Sequence, residues 1–151
     1  MNHLDFMELA YEEARLAFQE QEVPIGCVIV DEKQSLIAKA HNQKEASVLT
    51  TNHAEILAIK TASESLNNWR LSGCSAYITI EPCMMCVGAL LHARIKNIYY
   101  GWTEPKFGAL HSCVDFEKMN YGNHRFSEIK NLEHEASASI MSEFFKNRRR
   151  K

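Results

Sequence analysis

The chain has 151 residues, 46% of them hydrophobic and 24% charged, with a formal net charge of −2. That size fits one domain with its own core, and no apolar run approaches the roughly 20 residues of a membrane-spanning helix. No basic segment followed by an apolar block opens the chain, and its five cysteines read as reduced thiols, so the expectation is a cytoplasmic protein with no membrane partner.

Met7, Ala10, Tyr11, Ala14, Ala17 and Phe18 recur every three or four residues and predict an amphipathic helix over 3–20. Val23-Pro24 ends it. Residues 25–30 form a short, nearly continuous apolar run, as in a strand buried on both faces. A polar turn over 31–34 leads to a second strand over 35–40, and the two predict a hairpin. Residues 41–52 are polar and irregular. Thr50, Thr51 and Asn52 are candidate caps for a helix from His53 to about Ser65, along which Ile56, Leu57, Ile59 and Ala62 are spaced. After a connection over 66–73, Tyr77, Ile78 and Ile80 lie on a third strand that Glu81-Pro82 stops. A helix from about Cys83 to Ala93 follows, then a fourth strand at Ile98-Tyr99-Tyr100, closed by Gly101. Residues 102–125 carry no period, and irregular chain of that length is often a binding loop. Residues 126–129 predict a short fifth strand, and 132–149 a final helix with Ala136, Ile140, Met141 and Phe144 on one face. Strands alternating with helices imply a largely parallel sheet covered on both faces, with the hairpin adding one antiparallel pair. The expected fold is a single three-layer α/β/α domain over 1–151 with a central mixed five-stranded sheet.

Two short motifs carry chemistry: His53-Ala54-Glu55 and Pro82-Cys83-Met84-Met85-Cys86. Both fall at strand-to-helix junctions, where sites in such folds collect. Cys83 and Cys86 open a helix whose positive dipole end favours the thiolate, the form that binds metal. His53 makes a third ligand. A Cys2His set is one of the open catalytic zinc patterns, leaving a fourth position for water. Glu55, two residues beyond His53, is offset around the helix and is expected to move protons instead of ligating. H-x-E followed by P-C-x-x-C is the signature of zinc nucleobase deaminases. Cys27 lies in an apolar strand and reads as core. Cys74 and Cys113 belong to no local motif.

Charge is uneven. Residues 146–151 carry five cations, so the body before them is acidic, at −7. This basic end is either a phosphate-binding arm or a solvated helix terminus whose cations complement the macrodipole.

The chain resembles, almost end to end, the bacterial tRNA-specific adenosine deaminases of the cytidine-deaminase-like superfamily. The resemblance rests on Val23-Pro24-Ile25-Gly26, on Asn42 ahead of the zinc helix, and on His53-Ala54-Glu55. Thr79-Ile80-Glu81-Pro82-Cys83-Met84-Met85-Cys86 continues it, as do Gly88-Ala89, His92, Arg94-Ile95, Asn123-His124-Arg125 and Phe144 to Arg149. It implies a cytidine deaminase-like fold and one Zn2+ per subunit on His53, Cys83 and Cys86. It also implies a homodimer acting on the wobble adenosine of a tRNA anticodon loop. Glu55 then shuttles protons, Ile25 packs on the base and Asn42 hydrogen-bonds its edge. Ala54, Pro82, Glu104, Arg148 and Arg149 complete the expected substrate contacts. Two segments depart from the family pattern: Leu49-Thr50-Thr51-Asn52 replaces Asp-Pro-Thr-Ala, and the 104–112 loop has Glu104 for Asp and Leu110-His111 for Ala-Gly. Two other readings stay open. One is a deaminase of a free nucleobase or nucleoside such as cytosine or guanine, which shares both zinc motifs. The other is a zinc-stabilised binding module.

Overall fold

A computed structural model describes residues 1–149; Arg150 and Lys151, the last of the tail cations, lie outside them. The elements run α1 (His3–Gln19), β1 (Gly26–Val30), β2 (Leu36–His41), α2 (Lys44–Ser47), α3 (Ala54–Leu66), β3 (Ser75–Ile80), α4 (Met84–His92), β4 (Asn97–Trp102), a 3-10 turn at Phe116–Lys118, β5 (Glu128–Asn131) and α5 (Glu135–Arg149). Asn2 starts α1 with a capping box: its side chain accepts from the Asp5 N–H while the Asp5 carboxylate accepts from the Asn2 N–H.

The five strands lie in the order β2-β1-β3-β4-β5. Burial of β1 on both faces follows from its side-chain alternation. Val28 and Val30 join Phe6, Met7 and Ala10 of α1, while Cys27 and Ile29 join residues of α3 and α4 on the other face. The layers are therefore α1 and α5, the sheet, and α3 and α4, as the three-layer expectation has it.

Pairing is less parallel than the alternation of elements implies. β3, β4 and β5 pair in parallel, but β1 is antiparallel to β3 as well as to β2. The crossover unit is β2-α3-β3, whose two strands run the same way, and β1 is inserted between them. The hairpin thus produces two antiparallel pairs instead of one.

Three local expectations also shift. The fifth strand lies at 128–131, not 126–129, because Phe126 packs on Phe116 under the preceding loop, with ring centroids 5.9 Å apart. The last helix starts at Glu135, because the His134 N–H donates to Gly101 O and the Leu132 N–H to Tyr100 O. On α3 the sheet-facing stripe is Ala54, Ala58 and Ala62, all fully buried. Small residues four apart let the helix lie close on the sheet, while Ile56, Leu57 and Ile59 flank the contact.

The carboxyl ends of β2, β3 and β4 and the amino end of β1 meet at one edge of the sheet. The starts of α3 and α4 face each other there. No described helix is long and apolar enough to cross a membrane.

Candidate active site

His53 is itself the N-cap of α3, with extended backbone and no side-chain capping bond. Thr50, Thr51 and Asn52 do not cap the helix; the Asn52 carbonyl instead accepts from the Gln43 N–H and closes the intervening loop. The His53 imidazole is thus left to face α4. Cys83 is the N-cap of α4, with Pro82 before it and Cys86 three residues further on. His53 Nδ1 lies 3.7 Å from Cys83 Sγ and 3.5 Å from Cys86 Sγ. Zinc bonds of about 2.3 Å to sulfur and 2.0–2.1 Å to nitrogen, at a tetrahedral angle, put N and S about 3.6 Å apart. The donor atoms therefore suit zinc. Among the described residues this trio is the one cluster of three or more such donors. Cys27, Cys74 and Cys113 do not belong to this group among the described residues, so three donors form the corner.

The electrostatics suit a cation. The Cys83 thiol is held down to about 4, first by its hydrogen bond with Cys86 and then by His53, against the cost of burial. Cys86 moves the opposite way, raised by the same bond and by burial. One thiolate is thus favoured even without metal, at the positive end of a helix.

Glu55, in the first turn of α3, is 3% exposed, and its Oε1 has no hydrogen-bond partner. Burial, followed by the charge of Cys83, raises its carboxyl to about 7. Asn42, just after β2, is 6% exposed and its Oδ1 is likewise unpaired, while its N–H is fixed on Ile25 O at 3.1 Å. An unpaired buried acceptor costs about 1–3 kcal/mol. Two of them facing one cavity mark a place where a ligand supplies the missing donors. That cavity measures about 560 Å³, within the roughly 300–1,000 Å³ of small-molecule sites.

Of the residues singled out from sequence, Ile25, Asn42, His53, Ala54, Glu55 and Cys83 line the cavity, and Glu104 and Arg148 stand at its mouth. Cys86 is fully buried behind them. Pro82 and Arg149 are not in the wall. Pro82 is buried and its carbonyl accepts from the Ala109 N–H. Arg149 Nε donates to Phe145 O of its own helix.

Sequence reasoning passed over the acids that build the mouth. Glu81 reads as a strand terminator but is 3% exposed. Its carboxylate accepts from the backbone N–H groups of Leu110, His111, Ser112 and Glu104 at 2.8–3.2 Å, and from the Ser112 hydroxyl. Burial pushes its pKa up, but these donors outweigh it and the net shift is downward. Gly108 sits against this anchor: a Cβ there would collide with the Glu81 carboxylate and the Glu104 carbonyl. Glu22, 1% exposed, accepts from the Glu45 and Ala46 N–H groups at 2.9 and 2.7 Å and so starts α2. For Glu81 the available signal was an acid at the end of an apolar, buried segment, which must find donors; Glu22, behind the exposed polar run Gln19-Glu20-Gln21, carried no such signal. His111, where the family pattern has Gly, places Nδ1 2.6 Å from Tyr100 Oη and Nε2 3.2 Å from Glu117 Oε1, tying the loop to β4.

This fold, with a His-Cys-Cys corner and a buried glutamate whose Oε1 has no partner, is that of a deaminase, and the model of the MafB19-like deaminases matches residues 1–149. The tRNA-specific adenosine deaminase of Agrobacterium fabrum is 42% identical over 144 residues, 95% of this chain and 94% of that one. A structure from studies of A-to-I editing by tRNA:A34 deaminases superposes with a TM-score of 0.86 at 42% identity, covering 91% of this chain and 99% of that one. The guanine deaminase of Bacillus subtilis is more distant, with a TM-score of 0.66 at 27% identity over 97% and 95% of the two chains. The chain belongs to the tRNA-specific adenosine deaminase family.

Proposed function

We propose that the chain converts adenosine to inosine at the wobble position of a tRNA anticodon loop, as a zinc-dependent hydrolase. The observation that carries the reaction is the pair of unpartnered buried oxygens, Glu55 Oε1 and Asn42 Oδ1, facing one cavity beside His53 and Cys83. The relatives at 42% identity support the substrate.

His53 Nδ1, Cys83 Sγ and Cys86 Sγ would hold one Zn2+ per subunit. When bound there, zinc supplies the acidity that makes hydroxide available near neutral pH. Asn42 Oδ1 accepts from the edge of the base, and Ile25 and Ala54 pack beside its ring. Glu55 Oε1 takes a proton from the attacking water and delivers it to the ring nitrogen as oxygen adds to the amine-bearing carbon. A second proton then passes through the same carboxyl to the amine. The C–N bond breaks and ammonia leaves. The adenosine must leave its stack to enter, and a single-stranded loop makes that easier. Glu104, Arg148 and Arg149 belong to the RNA side of the site, with Pro82 behind it. We assign a homodimer, supported by the outward-facing Met84 and Met85 of α4, acting in the cytoplasm where tRNA is processed.

A free-base deaminase is the second reading, favoured by the likeness to the guanine deaminase. The test is zinc content and inosine formation in tRNA, with Glu55→Ala alongside. The wild type should hold one zinc per chain and form inosine, and the variant should keep the metal and lose the product. Inosine formation surviving in the variant would overturn the proton-transfer role.

A further inference from the structure

Three of the acids around the cavity mouth, Glu22, Glu81 and Glu104, are engaged internally, while the Glu45 side chain is exposed. Glu22 and Glu81 accept backbone N–H groups with both oxygens, and the Glu104 carboxylate accepts from the Phe107 N–H. Lys44, Lys106 and Arg148 line the same cavity, and none forms a salt bridge among the described residues; Lys106 Nζ lies 6.0 Å from the centre of the Phe107 ring and the Arg148 guanidinium 5.3 Å from that of Phe144. The mouth therefore offers three cations free of salt bridges beside carboxylates that are mostly tied to backbone N–H groups. Two aromatic rings share it. Phe107 is 65% exposed on the 104–112 loop, and Phe145 is 42% exposed on α5; both line the cavity. Each has a cation close in sequence, Lys106 beside Phe107 and Arg148 one turn from Phe145.

The position of Phe107 is built. Glu81 holds the loop by four N–H groups, Gly108 N–H closes on Glu104 O at 2.8 Å, and the Glu104 side chain fixes the Phe107 N–H at the tip. A ring that exposed gives little to the core, and a free nucleobase inside the cavity has no need of it. Stacking rings interleaved with unpaired cations are what single-stranded nucleic acid requires, a π-face for a base and a charge for each phosphate.

We propose that Phe107 is a specificity-determining residue that stacks on the nucleotide next to the one whose base enters the cavity, with Lys106 and Arg148 on the flanking phosphates. Glu104 and Glu81 act as positioning residues for it. This rests on the RNA reading above and explains how the chain favours a strand over a free base.

The test uses the zinc-loaded enzyme and an anticodon stem–loop RNA, intact or with an abasic nucleotide on either side of the target adenosine. Phe107→Ala should raise KM roughly 5- to 100-fold with kcat little changed, and Phe107→Trp should restore it. One of the two abasic substrates should raise the wild-type KM by a similar factor and add nothing further in Phe107→Ala, since both remove the same contact. Lys106→Ala should lower the salt slope of binding by about 0.7. RNA deamination with KM unaltered in Phe107→Ala overturns the stacking alone. A change of oligomeric state in that variant by sedimentation reassigns the ring to a subunit interface and also overturns it. A wild type that neither binds nor deaminates the stem–loop overturns the stacking and the RNA reading together.

Discussion

At the floor of the cavity, His53, Glu55, Cys83 and Cys86 sit on the first turns of two helices whose far sides are packed into the core. At its mouth, the 104–112 loop, α2 and the end of α5 present Lys44, Lys106, Phe107, Phe145 and Arg148 to solvent. The floor is held by hydrophobic packing of α3 and α4 against the sheet. The mouth is held by two buried carboxylates, Glu81 and Glu22, each saturated by backbone N–H groups. The difference separates two tasks. A packed floor keeps donor atoms at fixed distances, which the reaction demands, whereas a loop hung from a carboxylate can change its outward residues without disturbing the chemistry beneath.

The sharpest separation comes from Glu55. Glu55→Ala should lower kcat by about 10²–10⁴-fold while metal analysis still finds one zinc per chain and KM for RNA stays within range of the wild type. Loss of zinc in this variant would merge floor and acid into one structural unit. Asn42→Ala addresses the boundary between the regions. Its Oδ1 has no partner in the free protein, so removing it should leave stability level or raise it by about 1 kcal/mol, while KM rises about 10-fold. A drop in denaturation midpoint would instead make Asn42 a structural residue.

Glu81→Gln tests the mouth alone. Weakening its charge-assisted bonds should cost about 2 kcal/mol by urea unfolding and speed amide exchange across 104–112, with zinc affinity unchanged. The smallest effect is expected at His41, whose Nδ1 lies 3.0 Å from Glu13 of α1 and whose Nε2 lies 3.0 Å from Glu20, the C-cap of that helix. Burial draws its pKa down, but the bonds to the two carboxylates outweigh it, so the folded value is raised above 6.5. The folded protein holds that proton more tightly, so the stabilisation is complete below the unfolded pKa and fades as pH rises through the folded one. His41→Gln should lower Tm by about 2–4 °C per kcal/mol lost at about pH 5.5 and by less at about pH 9. An equal loss at both would deny the charged clasp.

The donor cluster at the floor was legible because it is local: H-x-E and P-C-x-x-C place His53, Cys83 and Cys86 within one turn of a helix start, and helix starts can be read from short windows. Most strands and helices were legible from periodicity for the same reason. The antiparallel β1–β3 pair was not, since it depends on β1 being inserted inside a crossover and no window of sequence records that. α2 was missed because it has no buried face and exists through Glu22, more than 20 residues earlier in the chain. The fifth strand was displaced because Phe126 signals burial but spends it on Phe116 instead of on the sheet. Glu81 was quoted in a motif without a role, because its partners lie some 30 residues downstream in a stretch with no period.

The most direct test of the division between floor and mouth is a side-by-side measurement of product from tRNA bearing a wobble adenosine and from free guanine and cytosine, using one zinc-loaded preparation. The account predicts inosine at the wobble position and no ammonia from either free base. Ammonia from a free base with no inosine in any tRNA would contradict it, leaving the floor's chemistry in place and the mouth assigned to the wrong substrate.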